Sequence, residues 1–255
     1  MSQMTLKTDA EIEIIAAGGR ILANALQATA ALVRPGVSTL ELDSAAEREI
    51  RKAGGEPSFK GYGKGKDKFP FALCTSVNQV IVHGTPSAKD VLKEGDIIGL
   101  DLGVRYKGLY TDAAITVPVG RVSAAAQKLL RVTEEALELA IGEARVGNRI
   151  GDISAAIQRT AERAGFGVVR QLIGHGVGHA VHEEPAVPCF GKDGEGLPLE
   201  AGMVLAIEPM VTEGDYHLVT EAGWPVETRD KSLGAHFEHT VAITPEGPRI
   251  LTLPG

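Results

Sequence analysis

Positive charge is in short supply in this sequence: 26 lysines and arginines are set against 33 aspartates and glutamates, a net charge of −7. With a pI near 5.6, the chain is poorly suited to a broad nucleic-acid or anionic-membrane surface. Cysteine is scarcer still. Cys74 and Cys189 are the only two, too few and too far apart for a disulfide-stapled secreted fold or a zinc finger. Long apolar runs are missing as well, and the opening MSQMTLKTDAEIE is polar and acidic where a signal peptide needs an apolar core. These absences lead to the expectation of a cytoplasmic protein. What is present is material for a core: 255 residues, 44% of them hydrophobic, suffice for one large domain or two small ones.

Two capping signatures open the chain. Thr8-Asp9-Ala10-Glu11 precedes apolar residues at helical spacing (Ile12, Ile15, Leu22, Leu26) as far as Arg34-Pro35-Gly36, and Ser38-Thr39-Leu40-Glu41 starts a second helix ending at Gly54-Gly55. Residues 57–70 hold four lysines, three glycines and the aromatics Phe59, Tyr62 and Phe69, the composition of an exposed loop. Residues 71–82 read as a strand ending at the turn His83-Gly84-Thr85-Pro86. In the second half Ser123 can cap a helix running to Val146-Gly147, another spans about 152–164, and residues 203–211 and 236–244 read as strands containing Glu208 and Glu238. Between them, residues 174–185 place His175, His179 and His182 among glycines that forbid a stable helix. Helix, helix, hairpin thus occurs twice, which suggests helices packed outside a sheet and an internal pseudo-repeat whose halves each supply two acids to one cleft.

The middle of the chain is organised around residues 96–120, which alternate as a β-hairpin. Ile98, Leu100, Leu102 and Val104 fall on one face; Gly99, Asp101 and Gly103 fall on the other. With Tyr106-Lys107 at the tip and Gly108 relieving the turn, Asp101 and Asp112 come directly opposite each other. Like charges so placed repel, unless the site is solvated, one group is protonated, or a cation lies between them. Asp101, Asp112, Glu208 and Glu238 all interrupt apolar strands, where a buried acid must be paired, protonated or metal-bound. Any one of them is ordinary; four beside a glycine-flanked histidine favour a site. Their charge of about −4 balances two divalent ions, with a bridging hydroxide and a neutral imidazole completing the shells. So oxygen-rich a set suits Mn, Fe, Co or Zn and a hydrolase rather than structural zinc.

These residues and their order resemble the type I methionine aminopeptidases of the pita-bread fold, over nearly the whole chain from Thr8 onward. The resemblance rests on TSVNQVIVHGTP around His83, LDLG with Asp101, YTDAA with Asp112, GHGVGHAVHEEP with His175 and His182, AIEP with Glu208, and FEHTVAIT with Glu238. It implies an α+β, pseudo-twofold antiparallel sheet with helices outside and a dinuclear metal site in the central cleft, one catalytic domain over 1–255 with halves roughly 8–120 and 121–250. By the same resemblance Asp101 is a terminal metal ligand, Asp112 and Glu238 bridge two divalent ions, and His175 and Glu208 complete the other metal's set of ligands. Glu208 also shuttles the proton. His83 and His182 touch substrate, and Tyr62, Phe69, Cys74 and Trp224 line the methionine pocket, with Phe59 a weaker addition. The activity implied is removal of the N-terminal methionine from nascent proteins and peptides, preferentially before a small second residue, by attack of a metal-bridging hydroxide. The protein is expected to be a monomer with peptide and nascent-protein N-termini and the ribosome as partners, and without nucleic-acid or membrane function.

Two local departures, Gln79 and the run Leu109-Tyr110-Thr111 before Asp112, remove no ligand. The thirty residues from Glu208 to Glu238 leave no room for the helical insertion of type II members. A proline-specific peptidase of this fold would share all five ligands but usually carries an extra N-terminal domain, and a non-catalytic binding protein of this fold would typically have lost ligands. His179, His217, His236 and His239 read as surface or supporting groups, Cys74 as a small core residue and Trp224 as packing when taken without the resemblance.

Overall fold

The computed structural model describes residues 4–63, 65, 68–220 and 223–255. Both capping boxes form. α1 (Asp9–Ala30) starts at Thr8, whose hydroxyl accepts the Glu11 N–H while the Glu11 carboxylate accepts the Thr8 N–H at 2.8 Å. α2 (Thr39–Lys52) begins in the same way at Ser38 and Glu41. α3 (Ala124–Glu143) is capped by Ser123. α4 (Ile150–Arg163) begins two residues before the expected Asp152, because that carboxylate reaches back to accept the Arg149 N–H at 2.7 Å. Among the described residues, no helix is long and apolar enough to cross a membrane.

The helices cover an antiparallel nine-stranded sheet. Its strands are β1 (Glu56–Pro57), β2 (Leu73–Val77), β3 (Ile97–Tyr106), β4 (Leu109–Pro118), β5 (Ile173–Gly176), β6 (Glu183–Pro188), β7 (Val204–Ile207), β8 (Glu238–Thr244) and β9 (Gly247–Ile250). They run in the order β1-β3-β4-β8-β7-β5-β6, with β2 also on β3 and β9 on β8. The alternation read from the sequence separates the two faces of the β3–β4 hairpin. Ile98, Leu100, Leu102 and Val104 pack under α1 and α2 against Leu22, Leu26, Leu42 and Ile50. Leu205, Ile207, Val241 and Ile243 meet α3 and α4 in the same way. Each such side chain, fully buried, contributes about 1.5–3 kcal/mol, so the helix-covered face carries the stability and the opposite face can hold polar groups.

The hairpin turn lies one residue further on than the sequence suggested. Lys107 and Gly108, at φ +48° and +87°, are its two central residues, the left-handed pair of a type I′ turn, and Tyr106 pairs with Leu109. Asp101 therefore opposes Ala114, and Asp112 opposes Gly103. The two aspartates share a face but are diagonal rather than directly opposite, which eases their repulsion and leaves small residues beside each.

Three expected strands are each broken in two. β2 stops at Val77, the chain turns at Asn78 (φ +54°), and Val80–Val82 pairs instead with Val226–Thr228. β7 ends at Ile207, since Pro209 has no N–H to continue a ladder, and Met210–Thr212 joins a separate sheet with Gly234–His236 and Gly167–Val168. Crossing back between the two sheets occurs at Phe237. Glu208 and Glu238 therefore stand at the seam between the sheets. The supposedly exposed loop of residues 57–70 also folds inward: Phe59 and Phe69 are 7% and 3% exposed, although the loop's residues 64, 66 and 67 lie outside the described set.

Asp43, on α2, ties that helix to the start of β2. Its buried carboxylate accepts the N–H groups of Ala72 and Leu73 at 2.8 and 3.0 Å, while burial holds its pKa above the ordinary carboxylate value in spite of those two bonds. Asp43→Ala would strand two buried donors, each worth about 1–3 kcal/mol when unmet. The expected result is a loss of about 2–4 kcal/mol in urea unfolding with an unchanged m-value; a loss below about 0.5 kcal/mol would show that other groups take up these donors.

Candidate metal centre

On the uncovered face of the sheet, strand register sets four side chains in a row: Cys74 opposite Asp101, Asp101 opposite Ala114, and Ala114 opposite Glu238. Alanine in the middle of that row keeps the space between the two carboxylates open. Asp112 lies on the same face, beside Gly103. β4 pairs with β8 at Ala114 and Ala113; next along, the Thr240 hydroxyl accepts the Asp112 N–H at 2.9 Å and donates to its carbonyl at 2.7 Å, so this backbone is held by a side chain. His175 enters from β5, opposite Ala206.

His175 is oriented by its own neighbour. Its Nδ1 bonds the Gly176 carbonyl at 2.9 Å, leaving Nε2 to face Glu208 Oε1 at 3.4 Å. A backbone carbonyl on one ring nitrogen is the arrangement that fixes the tautomer of a metal-ligating histidine. One donor atom each from Asp112, His175 and Glu238 lie within 4.8 Å of one another, and Asp101 and Glu208 border the same cavity. Asp101 Oδ1, Asp112 Oδ1 and Glu238 Oε1 are buried with no hydrogen-bond partner among the described residues. Buried carboxylate oxygens left in this state are costly unless a cation meets them, so the donor set fits divalent metal.

The electrostatics agree. Burial lifts the Asp101 carboxyl to about 7, and burial together with neighbouring carboxylates pushes Asp112, Glu208 and Glu238 well above the ordinary range. Burial lowers the His175 imidazole to about 4 and that of His182 to about 3, and it also lowers His83. The histidines are therefore neutral near pH 7, able to ligate through a lone pair or to donate an N–H.

A cavity of about 300 Å³ adjoins the carboxylates. Every residue singled out from the sequence for this site borders it: the four acids and His175, His83 and His182, and Tyr62, Phe69, Cys74 and Trp224, with Phe59 beside them. Phe69 meets Trp224 edge to face at 5.5 Å, and Trp224 stands perpendicular to His83 at 6.3 Å. His83 has a backbone φ of +59°, a left-handed conformation rare outside glycine and common at functional sites. The His182 ring lies 4.2 Å from that of His175, centroid to centroid, and its Nδ1 bonds the Tyr62 hydroxyl at 2.8 Å.

The sequence left His236 open as a surface or a supporting group, and the structure makes it a buried one beside the acids. It is 3% exposed, its Nε2 has no hydrogen-bond partner among the described residues, and that atom lies 3.7 Å from Glu208 and 3.8 Å from Glu238. The available signal was its spacing of two residues from Glu238, which shares a face only while a strand continues. His179, His217 and His239, read in the same way, instead pair with Glu11, Asp215 and Thr252.

The model of metallopeptidase family M24 matches residues 13–245. A methionine aminopeptidase of Clostridium perfringens (strain 13 / Type A) is 50% identical over 250 residues, covering 97% of this chain and 98% of that protein. The crystal structure of methionine aminopeptidase from Thermotoga maritima superposes with a TM-score of 0.94 at 44% identity, covering 98% of this chain and all of that one. A prolidase from Pyrococcus furiosus is more distant, with a TM-score of 0.78 at 25% identity over 66% of its own length. With its ligand-competent carboxylates, its pita-bread sheet and these relatives, the chain belongs to the methionine aminopeptidases of metallopeptidase family M24.

Proposed function

We propose that this protein removes the N-terminal methionine from peptides and nascent proteins, preferentially before a small second residue. The observation that carries the reading is one cavity with two kinds of wall: buried, unpartnered carboxylate oxygens on one side and Phe59, Phe69, Cys74 and Trp224 on the other. An apolar recess of this size suits one unbranched thioether side chain. In this reading Asp101, Asp112, His175, Glu208 and Glu238 would together hold two divalent ions (Co, Mn, Fe or Zn). Bound metal supplies Lewis acidity and an activated water.

The chain's own residues do the rest. The aromatic wall seats the methionine side chain and excludes water from it, while the ligand carboxylates offer anionic partners for the free α-amino group. Glu208, at the seam between the sheets, takes a proton and passes it to the leaving amine. His83 and His182 donate N–H bonds to the substrate, the Tyr62 hydroxyl holding the far nitrogen of His182. The chain acts as a single catalytic unit over 1–255 and as a monomer, with each of the halves 8–120 and 121–250 giving two carboxylates to the centre. Two buried free thiols suit a reducing, cytoplasmic setting.

The test is cleavage of a Met-X-Ser peptide series by metal-loaded enzyme, with metal content measured alongside. Rates should fall steeply from X = Gly or Ala to X = Arg, and Ala-Pro peptides should resist. Equal rates for Met-Gly-Ser and Met-Arg-Ser would overturn the steric account, and preferential cleavage of Ala-Pro would point to a prolidase-like specificity.

A further inference from the structure

The segment before α1 reaches across the molecule to the bend that carries His182. Lys7 Nζ donates to Glu183 Oε2 at 2.5 Å, with the two side chains only 1% and 3% exposed. Thr5 Oγ1 lies 3.1 Å from the same carboxylate oxygen, and Lys7 Nζ also donates to the Thr5 carbonyl at 3.1 Å. The other Glu183 oxygen accepts the Ala180 N–H at 2.7 Å, so one carboxylate closes the 180–183 bend and joins it to the N-terminal segment. That segment is itself fixed, since the Lys7 N–H donates to the Gly202 carbonyl at 2.7 Å.

Packing reinforces the link. Gly178 has φ +141°, and a Cβ there would stand 2.5 Å from Lys7 Cε, so the lysine stem lies over the bend at a point where only glycine leaves room. His182 sits within this bend, next to Glu183. Outside it, the described hold on the ring is the Tyr62 hydroxyl and the face of His175.

A buried ion pair is a poor way to gain stability, because desolvation offsets most of the attraction, but it is strongly directional. Here its direction fixes the bend one residue from an imidazole in the catalytic cavity. Lys7 lies before the span matched by the family model, which begins at residue 13. We infer that Lys7, acting through Glu183, is a positioning residue for His182. This rests on the substrate-contacting role given to His182 above.

The experiment is steady-state cleavage of Met-Ala-Ser by the metal-loaded full chain carrying Lys7→Met, Glu183→Gln or His182→Ala, and by each of the first two combined with His182→Ala. Displacing a catalytic group by about 1 Å from a remote site can reduce rate about 100-fold. The expected result for Lys7→Met is a kcat lowered about 10–100-fold with KM changed less than about threefold. In the His182→Ala background the same change should matter by less than about twofold, since its target is gone. An equal factor in both backgrounds, or a kcat within about twofold of the parent, would reduce Lys7 to an anchor for the N-terminal segment. Should Lys7→Met fail to fold, Glu183→Gln can still accept from Ala180 through its amide oxygen while its NH2 replaces the oxygen that Lys7 and Thr5 bond, which abolishes the ion pair, and the same comparison decides. If His182→Ala alone leaves kcat unchanged, the role of His182 falls and this inference falls with it; if His182→Ala lowers kcat and neither partner variant does, only the inference falls.

Discussion

Asp112→Asn and Glu238→Ala should each yield a folded protein that retains little metal and almost no activity. Both carboxylates are buried, each has an oxygen without a hydrogen-bond partner among the described residues, and both lie within 4.8 Å of the His175 donor. Removing an outer partner of a metal ligand typically costs about 10–100-fold in affinity or activity, and a ligand itself should cost more. The fold should survive because neither side chain supports the helix-covered face. In Asp112→Asn the backbone bonds to Thr240 are untouched. Removal of one of several mutually repelling buried carboxylates should leave the chelated variant at least as stable as the chelated parent, the trade of stability for function that such clusters embody. Metal analysis, Met-Ala-Ser cleavage and melting curves with and without chelator check all three parts. Full metal content in both variants would remove these residues from the ligand set.

Helix starts were legible because capping is local: Thr8 with Glu11 and Ser38 with Glu41 need only three residues of context. Hairpin faces were legible too, since alternation survives a shift of the turn by one residue: Asp101 and Asp112 kept a common face although their register was misplaced. Strand breaks were not legible. Residues 203–211 and 236–244 each read as one continuous strand, and the exchange between two sheets at Glu208-Pro209 and Phe237 is a tertiary event with only Pro209 to announce it. Whether His236 was a surface or a supporting group was not legible for the same reason, because its approach to Glu208 and Glu238 depends on the seam. The aromatics of the 57–70 loop were masked by the lysines and glycines around them; composition described the backbone as loop and was silent on where Phe59 and Phe69 would bury.

His182→Ala should separate catalysis from metal binding. The two cavity histidines lie 4.2 Å apart, ring to ring, and both are neutral near pH 7, but they are held differently. His175 spends Nδ1 on the adjacent Gly176 carbonyl and turns Nε2 toward Glu208, the posture of a ligand. His182 is held through Nδ1 by the Tyr62 hydroxyl, which leaves its other nitrogen for the cavity. A neutral imidazole so placed can offer an N–H to charge developing on the scissile carbonyl oxygen, and a bond that strengthens as the barrier is crossed raises kcat rather than affinity. Loss of one such donor costs about 10²–10³ in kcat, roughly 2.7–4 kcal/mol. The expected result for His182→Ala is therefore near-normal metal content, an unchanged fold, kcat lower by about 10²–10³ and KM little altered. His175→Ala should instead lose metal affinity and, with it, activity. Metal content measured beside steady-state kinetics on both variants distinguishes them. An emptied His182→Ala with a fully loaded His175→Ala would show that the ligand is the histidine on the bend and the donor the one on β5.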